Sequence, residues 1–435
     1  MSLAGTSPAP PPARLTSREI GERALAMIDE LTTISADEGA LTRLYLTPEH
    51  RRAADMVGGW MAAAGLNVRM DAAGTVRGAL PPGASGRSGN KALLIGSHID
   101  TVIDAGRFDG NLGVIVGILA VEQLKARGIT LPFGLELLAF GDEEGVRFPV
   151  TLTSSAVAAG VFDPKSLDAV DEKGISLREA LVAFGGDPDR LRQEAYQRPA
   201  VLGYLEVHIE QGPVLERAGE PLGVVTAIAS QSRHRIRIRG EAGHAGTVPM
   251  EMRHDALTAA AEIMLAVEAI ARRGKKHALV ATVGHVEVMP GASNVIPADV
   301  RFSLDVRAAS DEARKAAVEE ITLFARRIDK RRHVVVGVET VLEKGVARCA
   351  PRLMKAIAAG VGAVQGKPAR GLMSGAGHDG LSMAHLGDFG MIFVRCRAGI
   401  SHNPNEWVSV DDMGAAVEGL MATIEELARQ ESGAR

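Results

Sequence analysis

The 435-residue chain has only two cysteines, Cys349 and Cys396, and neither belongs to a CxxC pair. That argues against a thiolate zinc site and against a disulfide framework. A chain of this length buries enough apolar surface to do without disulfides, and so few cysteines fit a reducing, cytoplasmic setting. No run of 18 apolar residues occurs, so no membrane span is expected. Positive charge is not in excess either. There are 49 Lys and Arg against 53 Asp and Glu, a formal net charge of -4. Nothing in that balance points to nucleic acid or an anionic membrane as partner. The basic clusters "RRGKK" (272–276) and "RRIDKRR" (326–332) read as solvated helix ends, where cations complement the helix dipole. The opening "MSLAGTSPAPPPARLTS" lacks the apolar core of a secretory signal, so residues 1–16 are expected to form a disordered tail.

What is present is an alternation of helices and strands. "SREIGERALAMIDELTTIS" has helical spacing from residue 17, and a second helix begins near Pro48 and stops at Gly65. "LNVRMDAAGTVRGAL" reads as a strand pair. "KALLIGSH" and "FGLELLAFGDEEG" read as buried strands separated by the apolar helix "NLGVIVGILAVEQLKARG". This order predicts an α/β sheet with sites at the strand ends. After "GVVTAIAS" the pattern changes to β-α-β-β-α-β, a ferredoxin-like unit with Arg233, Arg235, Arg237 and Arg239 on its wet face. Residues 17–226 and 344–435 are then two parts of one catalytic domain, and 227–343 an inserted domain.

Polar residues gather at the ends of the buried strands. In "GSHIDTVIDAGRFDGN" (96–111), His98 and Asp100 point the same way at a strand end, and Asp109 precedes a helix. Alone, these read equally well as a hydrogen-bonded surface pair and a helix cap. "GDEEG" sets Glu143 beside Glu144 after an apolar strand. Two adjacent carboxylates in a half-buried place call for a cation or a proton, unless the turn is fully solvated. "YLEVHIEQGPVLE" adds His208, with Glu206, Glu210 and Gln211 near it. "SGAGHDG" adds His378 and Asp379 in a glycine-rich loop, and "RAGISHNPNE" adds His402. Imidazole plus carboxylate without thiolate suits Zn²⁺, Mn²⁺ or Co²⁺, and the set is large enough for two ions.

The ordered motifs "GSHIDTV…GRFDGNLGV", "DEEGVRF", "EVHIEQGPVLE", "GEAGHAGTVPM", "NVIP…SLDVR", "SGAGHD" and "GISHNPNE" resemble those of the hydantoinase/carbamoylase amidohydrolases, part of the aminoacylase and carboxypeptidase-like metallohydrolases. The resemblance covers about residues 16–428. It implies a mixed-sheet metallohydrolase catalytic domain with an inserted ferredoxin-like (βαββαβ) dimerisation domain. It implies two divalent metals, zinc or manganese with cobalt or nickel as alternatives, held by His98, Asp109, Glu144, His208 and His402, with Asp109 bridging. Glu143 would be the general base and Asp100 the partner of His98. His244 would polarise the scissile carbonyl across a homodimer interface. Gln211, Asn294 and Arg307 would contact substrate, under a loop with Gly377 and His378. The implied substrate is a small carboxylated ureide, allantoate first and an N-carbamoyl-L-amino acid second; a peptidase, an aminoacylase or an idle scaffold is a remoter reading. Ser230, Ser155 and Gly380 depart from the family's usual residues without touching a ligand. The other histidines, His50, His234, His254, His277, His285, His333 and His385, match no such position and are read as structural.

Overall fold

A computed structural model of the chain describes residues 13–83 and 91–433. The chain divides into two compact units. The larger comprises Met1–Thr226, Cys349–Leu372 and Gly377–Arg435; the smaller comprises Ala227–Arg348 and Met373–Ala376. Residues 1–12 of the expected tail lie outside the described residues. The remainder of that tail is tied down: the Leu15 N–H donates to Gln123 Oε1 at 3.0 Å, and Thr16 caps the helix Ser17–Thr32 in a capping box with Glu19.

The larger unit is built on β1 (Asn67–Met70), β2 (Val76–Leu80), β3 (Ala92–His98), β4 (Gly134–Phe140), β5 (Val201–Ile209) and β6 (Leu222–Ile228). The smaller unit follows with β7 (Ser230–Arg239), β8 (Val280–Thr282), β9 (Val286–Met289), β10 (Asp299–Ala308) and β11 (Val335–Lys344). The chain closes with β12 (Ala347–Arg348), β13 (Arg370–Ser374) and β14 (Phe389–Val394). The first sheet runs β1-β2-β4-β3-β5-β14-β6-β12, with β13 beside β6. Its centre is parallel (β4, β3, β5 and β14), and its flanks are antiparallel. It is therefore a mixed sheet, as expected. The helix Asn111–Ala126 buries nearly its whole length against β3 and β5, which explains why its sequence shows no polar face. A capping box of Ser176 and Glu179 starts a further helix, Leu177–Phe184, in a stretch where no element was expected.

The smaller unit's sheet runs β11-β7-β10-β8, with β9 also on β10, all antiparallel. This is the ferredoxin-like order. The expected single strand "ALVATVGHVEVMPG" is broken into β8 and β9, because the Ser303 hydroxyl and backbone take up the His285 backbone at the break. Ile236 and Ile238 of β7 join Val300, Phe302 and Leu304 of β10 in a core of their own, covered by helices Ala256–Arg273 and Asp311–Arg332. Residues 373–376, expected in the catalytic part, group with this unit. Ser374 O accepts from the Ala229 N–H at 2.9 Å, and Gly375 O from Arg307 Nη1 at 2.6 Å. Ser230 is wholly buried and bonded to both Asp311 and Arg314, a use for the hydroxyl that glycine could not provide. Among the described residues, no helix is long and apolar enough to cross a membrane.

Candidate metal centre

Parallel pairing of β3 with both β4 and β5 places the C-terminal ends of all three strands on one edge. His98 ends β3, Glu143 and Glu144 follow β4, and His208 lies near the end of β5. This is the edge at which open α/β sheets bind ligands. Asp109 arrives on the turn before the helix Asn111–Ala126. It does not cap that helix: the N-cap is Gly110, without a side-chain cap bond. Gly110 has φ 65°, and a Cβ there would clash with the His98 ring. Only glycine lets the turn pass close enough to bring Asp109 under the imidazole.

The donor atoms converge. Asp109 Oδ1 lies 3.0 Å from His208 Nε2 and 3.5 Å from His98 Nε2, and Asp109 Oδ2 lies 3.4 Å from His402 Nε2. Glu144 Oε2 is 3.5 Å from the same His402 nitrogen, and Glu143 Oε2 is 3.9 Å from His98 Nε2. Three overlapping trios each keep their donor atoms within 4.8 Å of one another: His98, Asp109 and His208; His98, Glu143 and Glu144; Asp109, Glu144 and His402. Asp109 belongs to two of them and faces each with a different oxygen.

Two observations test whether the residues fit a metal. His98 Nδ1 lies 3.0 Å from the Asp100 carbonyl and His208 Nδ1 lies 2.9 Å from the Ile209 carbonyl. Each carbonyl can only accept, so each Nδ1 carries a hydrogen and each Nε2 is turned toward the cluster, the atom a metal would take. His98 Nε2 is fully buried without a hydrogen-bond partner, which a native core rarely tolerates. A cation among these atoms satisfies it. The electrostatics agree. Burial, reinforced by Glu144 and only partly offset by His98, holds Glu143 well above the usual carboxylate range. Burial and Asp109 push Glu144 up to about 7, and the bond to Asp109 raises His402 to about 9. So many strained acids and bases in one pocket mark a functional site.

The surrounding residues are placed as follows. The Asp100 carboxylate lies 3.6 Å from His98 Nδ1, and accepts from the backbone N–H groups of Glu143 at 3.2 Å and Glu144 at 3.3 Å. It thus steadies the acidic turn as well as the histidine. Gln211 was expected to contact substrate. Its amide donates to Asp109 Oδ2 at 2.6 Å, and both Gln211 and His402 adopt left-handed backbones with φ 54°. His378 is buried, with its ring edge-on to His208 at 4.4 Å. A Cβ on Gly377 would lie 3.9 Å from Glu143 Oε1.

His244, Asn294 and Arg307 belong to the smaller unit. His244 and Asn294 are exposed on adjoining loops, joined by the Ala245 N–H to the Asn294 carbonyl at 3.0 Å. The Arg307 fork already holds a carboxylate: Nε and Nη2 donate to Asp305 at 2.8 and 3.1 Å, and Nη1 to Gly375 O. Three of its five N–H donors are used and two remain. Sequence reasoning missed Asp305, whose signal was its place two residues before Arg307 on the same strand face. It also missed Ser401 and Glu406, which flank His402 in the motif "GISHNPNE" and both bond into this cluster.

Residues 94–426 match the family model described as Peptidase family M20/M25/M40. The chain is 41% identical over 433 residues to an allantoate deiminase of Arabidopsis thaliana, covering 93% of this chain and 82% of the relative. It is 40% identical over 415 residues to an N-carbamoyl-L-amino acid amidohydrolase of Geobacillus stearothermophilus, covering 94% and 99%. A solved amidase of the hydantoinase/carbamoylase family from Burkholderia multivorans superposes with TM-score 0.84 at 31% identity, over 93% of this chain and 97% of that one. With that sheet edge, that cluster and these relatives, the chain belongs to the hydantoinase/carbamoylase amidohydrolases of peptidase family M20/M25/M40, enzymes that hydrolyse C–N bonds.

Proposed function

We propose that this enzyme hydrolyses the carbamoyl C–N bond of a small carboxylated ureide, with allantoate as the preferred substrate, releasing ammonia and carbon dioxide. The observation that carries this reading is the convergence of His98, Asp109, Glu144, His208 and His402 around a carboxylate that faces both sides, with Glu143 free beside them. Two divalent ions held by those five residues, zinc or manganese, would supply Lewis acidity and lower the pKa of water. Glu143, kept basic by burial and by Glu144, takes the proton of the attacking water and delivers it to the departing nitrogen. Asp100 and Gln211 hold the acidic turn and Asp109 in place meanwhile.

Recognition is assigned by resemblance. Arg307 has two donors left for a substrate carboxylate, Asn294 and Gln211 assist, and His244 polarises the carbonyl. Gly377 and His378 form the loop beside the site. The same resemblance supports a homodimer formed through the smaller unit. The buried free thiols of Cys349 and Cys396 are consistent with a cytoplasmic setting. A second substrate reading is favoured by the carbamoyl amino acid amidohydrolase above, which is matched over 99% of its own length.

The test is ammonia release by metal-loaded protein given allantoate and a panel of N-carbamoyl-L-amino acids, with Glu143→Gln alongside. Preference for allantoate is expected, and the variant should keep its metal while losing about 10²–10⁴-fold in kcat. Preference for a carbamoyl amino acid moves the enzyme to the second reading. Undiminished turnover in Glu143→Gln removes that residue from the chemistry.

A further inference from the structure

Glu406 is a carboxylate that neither the chemistry nor the recognition above uses. It is 1% exposed. Its Oε1 accepts the backbone N–H of Phe108 at 2.7 Å and of Asp109 at 3.0 Å, from a point 297 residues away in the chain. Its Oε2 lies 3.0 Å from the Ser401 hydroxyl, which also reaches Asp109 Oδ2 at 2.6 Å. Glu406 therefore grips the backbone of Asp109 directly and its side chain through Ser401. Ser401 immediately precedes His402, so the same contacts tie the turn bearing Asp109 to the loop bearing His402.

A buried turn needs its N–H groups satisfied, and that alone would explain Oε1. It does not explain Oε2, which meets the same Ser401 hydroxyl as the Asp109 carboxylate. A second observation points the same way. A Cβ on Gly106 would clash with the Glu406 side chain at its carboxyl carbon, so the glycine of "DAGRFDGN" leaves the space that Glu406 fills. Burying an acid here is unfavourable unless its oxygens are hydrogen-bonded: Oε1 accepts two backbone N–H groups, and Oε2 shares the one Ser401 hydroxyl hydrogen with Asp109 Oδ2.

We propose that Glu406 is a positioning residue which, through Ser401 and the 108–109 backbone, holds the Asp109 carboxylate between His208 and His402 and thereby sets the metal affinity of the site. A carboxylate already aimed loses less freedom when the ion arrives, and partners that orient metal ligands matter to affinity nearly as the ligands do. This inference rests on the metal-centre reading above.

The test is metal binding rather than turnover. Apo protein is titrated with Zn²⁺ by calorimetry and with Co²⁺ by visible absorption, in the wild type, Ser401→Ala, Ser401→Thr, Glu406→Gln, Gly106→Ala and Asp109→Asn. Ser401→Ala, Glu406→Gln and Gly106→Ala should each weaken binding by about 10–100-fold and alter the cobalt bands. Ser401→Thr, which keeps the hydroxyl, should recover most of the affinity. If Glu406→Gln does not fold by circular dichroism, the contrast between Ser401→Ala and Ser401→Thr decides. Wild-type affinity and cobalt spectrum in both Ser401→Ala and Glu406→Gln would overturn the proposal while leaving the metal centre standing. Asp109→Asn that binds as tightly as wild type, or a wild type that binds no metal, would instead sink the metal centre and this inference with it.

Discussion

In the larger unit, His98, Asp100, Asp109, Glu206 and His208 are at most 6% exposed; the aspartates and histidines favour one another's charged forms, while burial and acidic neighbours hold the adjoining Glu143 and Glu144 above the usual carboxylate range. In the smaller unit, Arg233, Arg235 and Arg237 stand along the wet face of β7, each facing an acid: Asp305 at 3.1 Å, Glu339 at 3.2 Å, and Asp299. The two sheets thus hold charge under opposite conditions. Buried charge is unfavourable unless something compensates it, whereas exposed pairs in water interact weakly. The first sheet's charges are buried and must be compensated within the cluster; the second sheet's are exposed and paired in water. Both tryptophans, Trp60 and Trp407, and all three tyrosines, Tyr45, Tyr196 and Tyr204, lie in the larger unit. Tryptophan and tyrosine signals therefore follow one unit alone, while far-ultraviolet circular dichroism follows both.

Removing metal should separate the units most widely. An ion present at a thousand times its Kd stabilises the unit that binds it by about 4 kcal/mol. Chelation is expected to lower the denaturation midpoint seen by tryptophan fluorescence, and to leave a part of the far-ultraviolet signal unfolding where it did before. A chelator that moves both signals together, or neither, would break the contrast.

The pH should act next. His50 is buried in the larger unit, and burial pushes it down to about 4 from an ordinary value near 6.5. Its Nδ1 accepts the Leu46 N–H at 3.2 Å and so belongs to a neutral ring. The folded pKa lies below the unfolded one for a group that gains charge on protonation. As pH falls from about 6.5 to 4, the unfolded chain takes up a proton that the folded chain refuses, and stability drops by about 3 kcal/mol before levelling off. Above 6.5 this group has no effect. His50→Asn keeps an acceptor near Nδ1 and cannot titrate. Its fluorescence-monitored stability should fall less steeply over that window, and an identical slope would clear His50 of the effect.

The contrast between the units also explains what the sequence disclosed. The alternation "RHRIRIR" was readable because one face of β7 is wet, so period two appears in the letters themselves. The metal cluster was readable through its motifs, because strand ends that share an edge put distant segments together. Glu406 was not, since its meaning depends on two N–H groups 297 and 298 residues away. Arg307 was expected only to contact substrate, because a strand's letters do not say which same-face neighbour, here Asp305, turns toward it. The break between β8 and β9 follows from a serine on the neighbouring strand, and no local pattern announces it. The helix Leu177–Phe184 is different: its capping box and its left-handed Gly185 were plain in the sequence and went unread.

The smallest effect is the one that sharpens the comparison furthest. Arg235 and Glu339 stand directly opposite each other on β7 and β11, with side chains 60% and 66% exposed. Water and salt screen such a pair, and fixing two long side chains opposes whatever attraction is left. Arg235→Ala should therefore leave the midpoint of the smaller unit within about 1–2 °C, by far-ultraviolet circular dichroism, at low salt and at high. Arg314 tests whether burial, rather than membership of a unit, makes the difference. It is 3% exposed in the same unit and bonds Ser230 at 2.7 Å and Glu343 at 2.6 Å. Its removal takes a donor from the buried Ser230 oxygen and leaves space in the interior, so Arg314→Ala should lower the midpoint clearly more than Arg235→Ala. Equal shifts from the two would mean that exposure does not decide what a charge is worth in this sheet, and the contrast between the units would lose its physical basis.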